Sequence, residues 1–225
     1  MTTLRVGGLT VPYEQAQNWA TDYLVNHPGG SGYPAYDTYE GAGKERIDVG
    51  QADLLAIALL KVSRNPIPTY YALEALMPEL NKYLEDVKTN LTLADASSET
   101  LDAVAKLFSV LDPKRPKWIK MTKVAKVLAR KRQGLIPIYD KYVSYCYTDC
   151  TNAPVPPVKG RSWEKYSRAW LQAVQKDLIE QMDQWETLAA IAPGEEISPL
   201  RALDIVAWRA GQQGFRKDAA VESGS

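Results

Sequence analysis

Lys120, Lys123 and Lys126 recur every third residue. On a helix that spacing crowds three ammonium groups on one side. Neighbouring positive charge lowers the pKa of an amine, and a lysine so lowered can act as a nucleophile. The three belong to a longer cationic run. Between Pro113 and Tyr139 stand Lys114, Arg115, Lys117, Lys120, Lys123, Lys126, Arg130, Lys131 and Arg132, with no acid among them. The whole chain balances 27 basic against 27 acidic residues, so the rest of it is left with 18 against 27. A basic island on an acidic body suits a polyanion, because phosphate contacts are made locally. A lysine-rich solvated helix face is the other reading of the same residues. Asp140, just past the run, reads first as the N-cap of a short helix reaching Tyr147.

The elements that must position these groups are helical. Apolar residues keep a helical period at Trp19, Ala20, Tyr23 and Leu24, ahead of a stop at His27-Pro28-Gly29-Gly30. Asp48 is expected to cap an apolar helix through Asp53 to Leu60, with Gln51 in the capping-box position. Ser97 or Ser98 starts a helix with Leu101, Val104, Ala105 and Phe108 on one face. The basic helix runs from about Trp118 to Arg132, with Met121, Val124, Ala125, Leu128 and Ala129 as its inner stripe. Leu135 to Tyr139 is a short extended apolar link. Ser162 caps a long helix, and Ser198-Pro199 opens the last one, which Gly211 is expected to end. No alternation long enough for a strand is visible, and the pattern predicts eight or nine helices. The expected fold is all-α, a single helical domain over 1–215 with a frayed tail at 216–225.

The order basic helix, apolar link, then Asp resembles the helix-hairpin-helix DNA glycosylases over Trp118 to Asp140. In Ile136-Pro137-Ile138-Tyr139-Asp140 the link matches, and Asp140 takes the position of that superfamily's catalytic carboxylate. Lys123 lies near the position of the Schiff-base lysine of the bifunctional members, at a slightly different spacing from the Asp. The resemblance implies two helical lobes around a cleft, DNA as partner, and excision of a flipped base. The carboxylate would stabilise positive charge developing on the sugar or orient water. The family's Gly-Val-Gly hairpin has no counterpart in Lys117 to Thr122, which contains no glycine, so the grip on DNA passes to lysine side chains. Lys114, Arg115, Lys117, Lys120, Lys126, Arg130, Lys131 and Arg132 are the expected phosphate contacts.

A second resemblance covers most of the chain. It is to a family of uncharacterised actinobacterial helical proteins, carried by Lys126 to Asp140, Tyr36-Asp37-Thr38-Tyr39, Asp53 to Ala56, and Leu200 to Trp208. It implies no activity. Besides a third class, a small-molecule enzyme with a helical pocket, two leading functional readings therefore stay open. One is a glycosylase-like hydrolase using Asp140 and Lys123. The other is a non-catalytic module that binds DNA or a protein through Lys114 to Arg132.

Other chemistry is narrowed by composition. One histidine and two cysteines do not make a usual zinc site, and no metal or cofactor is expected. Gly41-Ala42-Gly43-Lys44 lacks phosphate-loop spacing. Cys146 and Cys150 read as free thiols. No apolar run is long enough for a membrane span, and the start of the chain does not read as a signal peptide, so a cytoplasmic protein is expected. Tyr33, Tyr36 and Tyr39 are expected to fold back onto the core. Arg201 and Asp204 are expected to pair with each other, and the six tryptophans to act mainly as core anchors.

Overall fold

The computed structural model describes residues 2–27, 31–38, 47–60, 65–112, 116–194 and 196–223, with side chains as far as 216. The fold is all-α apart from one hairpin, in which β1 (Thr3–Val6) pairs antiparallel with β2 (Leu9–Pro12). The sequence pattern did not predict these strands. Leu4, Val6 and Val11 are buried, but each strand is only four residues long, too short for alternation to stand out. The hairpin is tied down at its turn. Gly7 has φ +63°, and a Cβ there would lie 2.2 Å from the Cys146 carbonyl oxygen. Its N–H donates to Asp177 Oδ2 at 2.6 Å, and the same carboxylate accepts from Arg5 Nε and the Tyr147 hydroxyl.

Helix α1 (Tyr13–Thr21) continues as a π-helical turn to Asn26 and stops at His27, whose backbone is left-handed. There follow α2 (Ala35–Thr38), α3 (Gln51–Ala56), α4 (Pro66–Glu74), α5 (Met77–Leu84) and α6 (Ser98–Lys106). The second half holds α7 (Met121–Lys131), α8 (Lys141–Ser144) with a π-helical turn to Asp149, α9 (Trp163–Ile179), α10 (Met182–Ala189) and α11 (Pro199–Ser223). That makes eleven α-helices among the described residues, more than the pattern predicts. The short α2 has too few residues to show a helical period.

Several starts are where side-chain chemistry puts them. Ser97 accepts from the Thr100 N–H, Ser162 from the Lys165 N–H, and Asp140 from the Tyr142 and Val143 N–H groups. The start of α3 differs from expectation. Gly50, not Asp48, is its N-cap, and Asp53 completes the turn by accepting the Gly50 N–H at 2.9 Å.

Helix α11 does not end at Gly211 and runs through the expected tail to Ser223. Gly211 serves proximity instead: a Cβ there would lie 2.0 Å from the Tyr142 carbonyl oxygen, so its absence lets α11 lie directly on α8. Around α11 pack α1, α8 and α10, while α6 pairs with α9 and α3 touches α7. One continuous core joins these elements, centred on fully buried Trp170, Trp185 and Phe108.

Candidate functional site

Helix α7 is where the expected and observed roles of the cations diverge. Its apolar stripe is buried as expected, with Met121, Val124, Ala125 and Leu128 fully covered. The opposite side is buried too, so the helix is enclosed all round from Val124 to Lys131. Enclosure on every side ordinarily demands an apolar helix. Here cations are taken inside and given partners.

Arg130 and Lys131 share one carboxylate, Asp53, at 3.1 Å and 2.6 Å, and all three side chains are almost fully removed from solvent. Arg130 also donates to the Tyr36 carbonyl at 2.9 Å and lies over the Tyr36 ring. Arg132 donates to the carbonyls of Leu84, Val87 and Ile47, and so closes the carbonyl end of α5. Lys126 is 5% exposed, and among the described residues its ammonium reaches only the Leu60 carbonyl, at 3.5 Å.

Lys126, Arg130, Lys131 and Arg132 are therefore not available to a phosphate backbone, contrary to the expectation from sequence. Arg130 and Lys131 are drawn inside by Asp53, and Arg132 by backbone carbonyls around α5, whereas Lys126 is enclosed without a partner of that kind among the described residues. Lys114 and Arg115 lie outside the described residues.

What remains exposed gathers ahead of α7. Lys117 and Lys120 are exposed, and Lys120 is the extended N-cap residue of the helix. Between them Trp118 takes φ +78° and is 43% exposed, with the Lys117 ammonium 4.9 Å from its ring centroid. Trp118 is thus not a core anchor and does not begin the helix. A left-handed conformation at a residue with a side chain costs about 1–2 kcal/mol. Ile119, 1% exposed, roots the turn in the core. Lys123 ties it to α4, donating to Thr69 Oγ1 at 2.6 Å and to the Trp118 carbonyl at 2.8 Å. Partial burial draws the Lys123 pKa below the usual lysine range.

Asp140 starts α8, half-buried, with Oδ1 accepting both capping N–H groups and Oδ2 without a hydrogen-bond partner among the described residues. No hydrogen bond or ion pair joins it to Lys123. The amine that feels its charge is Lys126. Burial pulls the Lys126 pKa down to about 8, and Asp140 opposes that fall. A buried amine whose pKa is drawn towards neutrality can exchange protons or attack an electrophilic carbon.

Next to this pair, two of the motifs from the sequence meet. Arg201 of α11 forms a two-point ion pair with Asp37 at 2.6 and 3.2 Å, donates to the Tyr23 hydroxyl at 2.9 Å, and lies over the rings of Tyr23 and Tyr36. Arg201 therefore pairs with Asp37, not with Asp204. Asp204 instead accepts the Ile138 N–H from the apolar link at 2.9 Å, and burial pushes its pKa up to about 8. Asp37, Arg201 and Asp204 border a recess of about 50 Å³, also lined by Tyr36, Gln133 and Ser198. That is room for a few water molecules. Asp140 does not line it.

Tyr33 and Tyr36 are buried as expected, whereas Tyr39 lies outside the described residues. Cys146 and Cys150 are buried free thiols. No group of acidic, histidine and cysteine side chains that could hold a metal ion occurs among the described residues. No described helix is long and apolar enough to cross a membrane.

Residues 16–211 match the model of a "Family of unknown function (DUF6308)", and the chain belongs to that family. No curated protein and no solved structure matches it.

The sequence reading missed Asp53, Asp37 and Asp204 as site members. The usable signal was their setting: Asp53 precedes Leu54-Leu55, and Asp204 lies between Leu203 and Ile205. A carboxylate so placed is carried into the core with its neighbours and must find a partner there or stay protonated.

Proposed function

We propose that this protein binds nucleic acid through the Pro116–Lys120 turn and excises a base with Asp140 as the carboxylate. One arrangement carries the reading. A single helix joins an exposed turn bearing Lys117 and Lys120 to an enclosed lysine, Lys126, that feels the charge of Asp140. The turn contacts phosphates. The free Oδ2 of Asp140 stabilises positive charge on the sugar or orients water, as a helix-hairpin-helix glycosylase-like architecture would require. The amine role moves from Lys123 to Lys126. Lys123 is held by Thr69 and the turn, whereas Lys126 has one long contact among the described residues, and burial draws its pKa down to about 8. A cytoplasmic setting is consistent with the free thiols.

One observation favours the non-catalytic reading. Asp140 already has a structural duty as an N-cap and does not face the recess.

The two readings separate on turnover. The protein is incubated with duplexes carrying a panel of damaged bases, and the strands are treated with alkali. Wild type should yield cleavable abasic sites. Asp140→Asn, which keeps the cap, should yield none. Equal cleavage by the variant would remove Asp140 from the reaction, and binding without any cleavage by wild type would leave a binding module.

A further inference from the structure

Trp118 is held in an unfavourable backbone conformation and left exposed, although a glycine would fit that backbone without cost. Ile119 supplies the anchor to the core, and Lys123 reaches the turn through the Trp118 carbonyl, which any residue would provide. The other tryptophans are buried or half-buried, so this is the one exposed indole among the described residues.

Its surroundings are cationic. The Lys117 ammonium lies against the ring and Lys120 follows two positions on. An exposed indole with an ammonium over one face and a second exposed lysine two residues on offers a π-face and positive charge together, which suits a base joined to its phosphates. The bases of a duplex are already stacked on one another and leave no face free for an indole. A single strand or a locally opened one does.

We propose that Trp118 is a stacking platform for an unpaired base, with Lys117 and Lys120 on the adjoining phosphates, so that the turn selects unpaired over paired nucleic acid. This deepens the nucleic-acid reading above and rests on it. The contact is sequence-tolerant, since every base presents a π-face.

The experiment titrates full-length protein into a short labelled oligothymidylate and into a duplex of equal length at low salt, following anisotropy. Trp118→Gly, Trp118→Phe and Lys117→Gln/Lys120→Gln are compared with wild type, with thermal unfolding run on each. Wild type should prefer the single strand. Trp118→Gly should lose about tenfold in single-strand affinity, leave duplex affinity unchanged, and still unfold cooperatively, because glycine accepts the left-handed backbone. Trp118→Phe, which keeps a π-face, should retain most of the binding.

If Trp118→Gly binds the single strand as wild type does while the double lysine variant does not, the stacking inference fails and the nucleic-acid reading stands. If wild type binds neither probe, both fall. Binding only to vesicles of anionic lipid, lost in Trp118→Gly, would reassign the turn to a membrane surface and overturn both as well.

Discussion

Replacing Asp204 by Asn tests whether the carboxyl beside the recess is held as the neutral acid. Asp204 is 5% exposed and receives a single hydrogen bond, from the Ile138 N–H. Burial pushes its pKa up to about 8 against the opposing pull of Arg201. Arg201 does not prevent this because its guanidinium is already committed to Asp37. In the unfolded chain an Asp titrates near pH 4. Between those two values the folded protein keeps a proton that the unfolded chain has released. Stability contributed by this group is therefore complete below about pH 4 and declines as pH rises, until it is lost above about pH 8. The slope is about 1.4 kcal/mol per pH unit, or about 2.7 kcal/mol between pH 5 and pH 7. Asn has the shape of the neutral acid, can accept the same N–H, and does not titrate. Urea unfolding of wild type and Asp204→Asn at pH 5 and pH 7 should show the variant gaining on wild type by about that amount. All other titrating groups are common to the two proteins and cancel in the difference. A difference that stays constant across the two pH values would mean that Asp204 is ionised in the fold, and would refute the reasoning.

Two further outcomes follow from the same interior. Lys126→Met should stabilise the protein at pH 7 by up to about 3 kcal/mol, because burial holds the lysine pKa near 8 and below its unfolded value. The gain should shrink as pH rises from 8 towards 10.5, where the unfolded lysine also loses its proton; thermal unfolding across that range reads it. Gly211→Ala forces a Cβ against the Tyr142 carbonyl and should separate α11 from α8. A loss of about 2 kcal/mol or more is expected in chemical unfolding.

The helices were legible in the sequence where a cap and a period coincided, as at Ser97, Ser162 and Asp140. They were not legible where the deciding contact is distant. Gly211 has the look of a helix terminator, and only the backbone of Tyr142 beside it makes a glycine useful within a continuing helix. The strands were hidden by their brevity, and their turn by its dependence on Asp177 and Cys146 far along the chain. The apolar stripe of α7 was readable, but its polar side was not. Periodicity identifies which residues are apolar, and it assumes that the charged ones face water. Asp53 breaks that assumption from 77 residues away. The Tyr36-Asp37 and Arg201 to Asp204 segments stood out in the sequence as separate motifs, and only the fold brings Asp37 to Arg201.

The described cations on and beside α7 therefore answer different demands. Arg130, Lys131 and Arg132 are explained by folding: the first two neutralise the buried Asp53 carboxylate, and the third binds backbone carbonyls at the end of α5. Lys117 and Lys120 cost the fold nothing, being solvated. Lys126 fits neither account. It is enclosed, its one hydrogen bond is long, and burial opposes its charge, so its contribution to stability is negative at neutral pH. A methionine would fill the same space at lower cost. If the proposed excision chemistry holds, Lys126, rather than the exposed lysines that first define the basic island, is the side chain at which loss of that activity and gain of stability should coincide.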